Sequence, residues 1–225
     1  MRAKAFLYII IAAITLHACT SDQQPAQQGD GYLRIAGLHI KTETEQIPIK
    51  RAVDNSLQVD IYQGTTLVLS YAAGDTDLDS YITLPIGDYK LLAHTPDMNE
   101  AADNETGTPI YYAEKEFTIS HNQLTTVDAL TATQVNAGIR IEYQDKEFAT
   151  GFSKLSCMLT STETGRTVAI EGANDNSLYY FSIPGNGEIK YQITATNTDG
   201  ESFSLAPGVL QVDAPKNYYL SIKMQ

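Results

Sequence analysis

From about residue 33 onward, apolar side chains recur at every second position, with almost no helical spacing anywhere. Strand side chains point alternately to opposite faces, whereas a helix lines one face about every 3.6 residues, so this pattern selects half-buried strands. Leu33 and Ile35 begin it, and after a slip at Gly37 it continues through Leu38 and Ile40. Leu57, Val59 and Ile61 alternate, turn at Gln63-Gly64, and return through Leu67, Leu69 and Tyr71, which predicts a hairpin. Further strands are predicted at 81–84, 88–94, 111–119 and 124–131, then at 137–143, 155–161, 166–171, 178–183, 188–196, 202–205 and 218–224. Gly, Pro, Asn and Asp clusters separate them. The expected fold class is all-β, as antiparallel sandwiches of the transthyretin-like or immunoglobulin-like kind. The loop from Met98 to Asn104 is the one candidate for a short helix.

The two halves of the pattern resemble each other. Tyr89-Lys90-Leu91-Leu92-Ala93 matches Tyr191-Gln192-Ile193-Thr194-Ala195, each after a Pro-Gly turn. Downstream, Phe117, Ile119 and Val127 match Leu210, Val212 and Leu220 around a polar turn. Tandem sandwiches of ordinary domain size are therefore expected at 31–133 and 134–225.

The N-terminus carries a different signal. Arg2 and Lys4 precede an uncharged apolar run from Ala5 to Leu16, and Leu16-His17-Ala18-Cys19 follows. The run has the length of a signal-peptide core and falls short of the roughly 20 residues of a membrane span. An aliphatic residue three before a cysteine and a small one just before it form a lipobox. Residues 1–18 are thus expected to be a lipoprotein signal peptide, with Cys19 the lipidation site and the membrane a partner through that lipid. Residues 19–30 are polar and suit a disordered tether. Two or more acyl chains would make the attachment stable.

Loss of residues 1–18 removes two basic residues and no acidic one, taking the net charge from −12 to −14. Such a surface repels nucleic acid, and nucleic-acid binding is set aside. Cys157, flanked by Leu155, Met158 and Leu159, reads as a buried small hydrophobe, with no second unlipidated cysteine to pair with.

The motifs in order identify a resemblance. GYLRI, the pair Arg51-Ala52, LPIGDYKLLA, YYAEKEFTIS and VNAGIRIEY look like a family of surface lipoproteins from anaerobic Gram-negative gut and oral bacteria, known as a domain of unknown function. That family is similar in turn to fimbrillin-type pilins and their anchor subunits, which are lipidated pairs of transthyretin-like sandwiches. The resemblance spans nearly all of residues 31–225 and brings no catalytic residue with it.

No H-E-x-x-H, G-x-S-x-G, P-loop or C-x-x-C is present, and His39, His94 and His121 lack metal-ligand spacing. The reading is non-enzymatic, with no cofactor and no established metal. Asp75, Asp77 and Asp79 bring three carboxylates together as calcium requires, but Ser80 and Ile86 replace the Gly and Glu of an EF-hand. They are a candidate calcium set, with a solvated acidic turn as the alternative. A second acidic loop, Asp97, Glu100, Asp103 and Glu105, reads as solvated. Tyrosines number 14 and tryptophan is absent; one ring of each pair Tyr111-Tyr112, Tyr179-Tyr180 and Tyr218-Tyr219 is expected to pack inward.

The function expected is a structural or adhesive one on the outer membrane, facing the cell surface, as a fimbrial-type subunit, anchor or accessory protein. The alternative is a glycan-binding lipoprotein of a polysaccharide-uptake system. Other fimbrial-type subunits or surface glycans are the corresponding partners. Arg51, in the polar stretch 41–55, is a candidate for the proteolytic processing that the pilin resemblance implies. Cleavage there would release the lipid with residues 19–51 unless the first strand stayed bound, which favours an intact anchor and an ordinary surface loop.

Overall fold

The computed structural model describes residues 29–35, 38–41, 56–75 and 81–223. The first half contains β1 (Asp30–Ile35), β2 (Leu38–Lys41), β3 (Gln58–Gln63), β4 (Thr66–Tyr71), β5 (Ile82–Pro85), β6 (Gly87–His94), β7 (Tyr111–Ile119), β8 (Leu124–Val127) and β9 (Leu130–Gln134). The second contains β10 (Ala137–Tyr143), α1 (Glu147–Thr150), β11 (Phe152–Ser161), β12 (Thr167–Glu171), β13 (Tyr179–Phe181), β14 (Glu188–Asn197), β15 (Ser202–Ser204), β16 (Gly208–Gln211) and β17 (Asn217–Ile222).

Each half stacks a three-stranded sheet on a larger one. In the first half the sheets run β5-β1-β8 and β2-β9-β7-β6-β3-β4; in the second, β13-β10-β17 and β12-β11-β14-β15, with β16 also on β14. The alternation read from sequence sets the faces. Val59 and Ile61 point inward with no exposure, and so do Cys157 and Leu159. The hairpin turn between β3 and β4 has Gly64 at φ 60, a conformation glycine adopts without strain. The Pro-Gly corners at Pro85–Gly87 and Pro184–Gly187 carry the chain from one sheet to the other.

The sandwiches are mainly antiparallel, as expected, and within each half the first strand also pairs in parallel with a late one: Leu33 lies opposite Thr125, and Ile139 opposite Tyr218. A parallel neighbour needs a long crossover, and here nearly the whole sandwich is that crossover. The segment from Met98 to Asn104 is not helical, and among the described residues the helix is α1 instead.

The sequence likeness between halves is also displaced by two residues. Tyr89 lies opposite Phe117, whereas Tyr191 lies opposite Gly208 and Ile189 opposite Leu210. A two-residue step preserves which face each side chain occupies, so the pattern survives the slip.

The cores follow the halves. One cluster gathers Ile139, Leu159, Val168, Phe181 and Ile189 in the second half. The first half has two clusters, one around Leu33, Ile61 and Ile119 and another around Val59, Leu91, Ala93 and Ala132. Ile139 is fully buried between the two sheets of its half. Truncation by Ile139→Ala should therefore cost about 2–5 kcal/mol, read as a lower urea midpoint. Met158→Ala, on the outer face at 47% exposure, should change stability by under about 0.5 kcal/mol.

Candidate functional site

Two places hold side chains that the fold alone does not require. The first is the junction of the halves. Residues 95–110 leave β6, cross to the second half and return to β7. Along the way, Asn104 N–H donates to Thr167 O (3.0 Å), and Tyr180 N–H donates to Thr106 O (2.8 Å). Asp103 Oδ1 accepts from Thr167 N–H (2.7 Å) and Asn104 Oδ1 from Ala169 N–H (2.9 Å). Glu100 Oε1 accepts from Ser182 N–H (2.8 Å). This strap seals the outer edges of β12 and β13, which otherwise end their sheets. Unpaired edges invite association with other chains, and covering one removes that hazard.

Arg166 anchors the strap. It is 5% exposed, and its guanidinium lies 4.3 Å above the ring of Phe181. Nε donates to Ala102 O (3.2 Å), Nη1 to Tyr180 O and Nη2 to Glu105 O. Burial pulls its pKa down, and the nearby Glu100, Asp103 and Glu105 oppose that shift. The acidic loop read as solvated is thus a structural clamp, and Asp97 turns its own backbone by accepting from Asn99 N–H (2.9 Å). Asn136, 4% exposed, completes the joint: its Oδ1 accepts from Ile110 N–H (2.8 Å), and its Nδ2 donates to Thr108 O (2.9 Å). Sequence reasoning missed Arg166 and Asn136. The signal available was a lone Arg in a Thr-Gly-Arg-Thr turn, with four acids on a distant loop to meet it.

The second place is an apolar groove of about 570 Å³ in the second half. Phe148 of α1 stacks on Phe152 at 6.0 Å to form one wall. Leu155, Ile193 and Ala195 form the floor, and Ile222 and Lys223 stand at the end of β17. Phe203 and Leu205 line it while 51% and 55% exposed. The first half shows why it is open. Val59 pairs with Ala93 there, as Leu155 pairs with Ala195 here, and Ala93 faces Ala113 as Ala195 faces Phe203. In the first half β9 extends the larger sheet beside β7, with Ala132 fully buried, joined by Tyr111–Gln134 and Tyr112–Thr133. Among the described residues, β15 has no strand on its outer side.

A smaller polar cluster sits on the larger sheet of the first half. Asp60 is 6% exposed; its Oδ1 accepts from Ser70 Oγ–H (2.7 Å) and Gln58 Nε2–H (3.1 Å), and its Oδ2 meets His94 Nε2 at 3.2 Å. Burial alone would raise the carboxyl pKa, but the hydrogen bonds from Ser70, Gln58 and His94 outweigh it and hold it below the ordinary value. Asp60 thus bridges the Ser70 hydroxyl on β4 and the His94 imidazole on β6.

The residues nominated from sequence fall elsewhere. Cys19, Arg51, Asp77 and Asp79 lie outside the described residues. Asp75 is described; its N–H donates to Ala72 O (3.0 Å), and no group of three or more His, Cys, Asp or Glu side chains converges among the described residues. His121 meets Asn122 Nδ2 at 2.9 Å in its turn. Cys157 is fully buried, and burial pushes its thiol up to about 12. Tyr111 and Tyr179 pack inward while Tyr112 and Tyr180 are half-buried. Tyr32 and Tyr81 are the exposed tyrosines among the described residues.

Two tandem β-sandwiches, tied by a strap and with an apolar groove in the second, define the class of the chain. Residues 29–225 match the family model described as Domain of unknown function (DUF4493), and the chain belongs to that family. No curated protein matches it. Among solved structures, an adhesin candidate from Bacteroides ovatus is 10% identical with a TM-score of 0.47, covering 88% of this chain and 93% of its own. A fimbrial assembly protein from Parabacteroides distasonis is 12% identical with a TM-score of 0.47, covering 87% and 90%. A fimbrilin from Porphyromonas gingivalis is 11% identical with a TM-score of 0.39, covering 76% and 73%.

Arg166→Met should remove the donor for the Ala102 and Glu105 carbonyls and cost on the order of 2–5 kcal/mol. A Glu-specific protease should then cut at Glu100 and Glu105 faster than in wild type, with the β circular dichroism unchanged. Asp60→Asn tests a different interaction. A carboxyl with a depressed pKa stabilises the fold above its unfolded value, and that contribution is lost as pH falls through the folded value. Asp60→Asn should cost about 1–3 kcal/mol at neutral pH. The gap between wild type and variant in urea midpoint should close as pH falls below the ordinary carboxylate range.

Proposed function

We propose that this chain is a lipid-anchored protein of the cell envelope with a structural or adhesive role, acting as a fimbrial-type subunit, anchor or accessory protein at the outer-membrane surface. Its two sandwiches, residues 31–133 and 134–225, stand on a tether that begins at Cys19. The observation that carries this reading is the sealed joint. A long loop whose backbone and acidic side chains are committed to the neighbouring sandwich serves to hold two modules in one relation. Such commitment suits a strut that passes load or position from a membrane to a distant contact. The Leu16-His17-Ala18-Cys19 segment supports the anchoring, and the sequence resemblance to fimbrillin-type lipoproteins supports the role. The acidic net charge leaves membrane attachment to the lipid.

Anchoring and processing have direct tests. In cells fed a clickable fatty acid, wild type should take up label and Cys19→Ala should not, accumulating as precursor. Equal labelling of both would overturn the anchor. N-terminal sequencing of protein recovered from the surface should find lipid-blocked ends; a species beginning at Ala52 would instead establish cleavage after Arg51.

A further inference from the structure

We propose that the outward face of the small sheet β5-β1-β8 is a membrane-docking surface, which rests the first sandwich on the headgroup layer of the bilayer that holds its tether. The alternation of β1 builds the face. Leu33 points into the core with no exposure, so Asp30, Tyr32 and Arg34 point out. Tyr32 lies opposite Thr83 on β5 and Leu124 on β8, and Arg34 lies opposite Thr126. Ile82 points inward at 5% exposure, which turns Tyr81, the residue before it, to the same side as Tyr32. The two rings are diagonal neighbours across the antiparallel pair, within reach of each other. Tyr32, Tyr81 and Leu124 are 47%, 64% and 50% exposed, a contiguous apolar patch open to solvent.

Three observations point to the bilayer as the occupant. The first is where the tether joins. The Gly29 carbonyl accepts from Ile86 N–H (3.0 Å), and a Cβ on Gly29 would fall 2.2 Å from Nδ1 of His121, so that ring lies against its backbone. The carbonyl of Asp30 accepts from Asn122 N–H (3.2 Å). The chain therefore enters the sandwich at a fixed point, and Tyr32 lies three residues on, about 10 Å along the strand. Residues 19–28 reach at most about 36 Å when extended, so a lipid on Cys19 keeps the face within that distance of the bilayer. At such an effective concentration, a face too weak to hold a membrane alone is sufficient. The second observation is chemical. Tyrosine joins an apolar ring to a polar tip, a combination that settles at the boundary of hydrocarbon and water, and Leu124 adds a wholly apolar side chain beside Tyr32. A sugar would stack on the tyrosines and gain little from Leu124. The third is charge. Asp30 and Arg34, the outward charges of β1, cancel on a chain whose net charge is −12. Turning this neutral face to zwitterionic headgroups keeps the excess acid away from them. The proposal rests on the anchoring reading for its membrane, and its test supplies the anchor chemically so that the two fail separately.

The chain contains no tryptophan, so an introduced one reports alone. Protein beginning at Cys19 is coupled through that thiol to maleimide phosphatidylethanolamine in phosphatidylcholine vesicles; Cys157 is fully buried and does not compete. Tyr81→Trp and Leu124→Trp should each shift their emission to the blue. Lipids brominated in the upper acyl chain should quench both at least about threefold more strongly than Met158→Trp on the second half. Adding Tyr32→Ser and Leu124→Ser to Tyr81→Trp should return its quenching to the Met158→Trp level, with the β circular dichroism unchanged. Equal quenching of the three single variants, or none of Tyr81→Trp and Leu124→Trp, would overturn the proposal. Protection of Tyr81→Trp from acrylamide by soluble laminarin, with none by vesicles, would overturn it too and make the face a glycan platform. The clickable fatty acid judges the anchor independently of this coupling.

Discussion

The relation between the two halves depends on a buried guanidinium that neither half can satisfy alone. Arg166 belongs to the second sandwich, yet two of the three carbonyls it reaches, those of Ala102 and Glu105, belong to the first. A cation removed from water without partners is costly, and breaking such an arrangement costs more than never building it. The strap must therefore be seated for Arg166 to be tolerated. Arg166 in turn holds the strap where its side chains can cap the edges of β12 and β13. Asp103 and Asn104 accept from β12 N–H groups that would otherwise face solvent as an open ladder. Joint and edge protection are one structure, so loosening either should expose the other.

Within each half a second constraint operates: the first strand and a late one lie side by side in parallel. Such a pairing closes only after the intervening strands have formed, because loop closure over most of a sandwich is paid before the contact rewards it. The halves diverge after that closure. Beyond β8 the first chain crosses into the larger sheet as β9, beside β7. The second half keeps the same floor without that strand. The short helix α1 fills part of the space with Phe148, which packs on Tyr143 at 4.9 Å, and the remainder is the groove.

Much of this was legible in the residues. The alternation at Leu57, Val59 and Ile61 and at Leu155, Cys157 and Leu159 marks strands whose inner faces are the cores. The Gly64 turn was visible for the same local reason, since short-range chemistry determines it. Parallel closure was not legible, because nothing in Leu33 or Val127 records which distant strand it meets. The helix expected at Met98–Asn104 failed because its backbone bonds elsewhere: Asn99 and Ala102 N–H donate to the side chains of Asp97 and Glu105, while Asn104 N–H and Ala102 O bond to the other half. Arg166 and Asn136 escaped because a buried polar residue looks like a surface one until its partners are in place. The groove was hidden differently. Phe203 and Leu205 alternate like any core pair, and only their exposure distinguishes them.

The groove also lies on a chain that carries strong negative charge. Like-charged copies repel over roughly a Debye length, about 8 Å at physiological salt. That repulsion disfavours casual contact between exposed apolar side chains, which would otherwise make Phe203 and Leu205 an aggregation hazard. Contacts shorter than that length are governed by desolvation. The same division applies at the joint, where Glu100, Asp103 and Glu105 stand near Arg166, so part of the acidic character is spent internally rather than displayed.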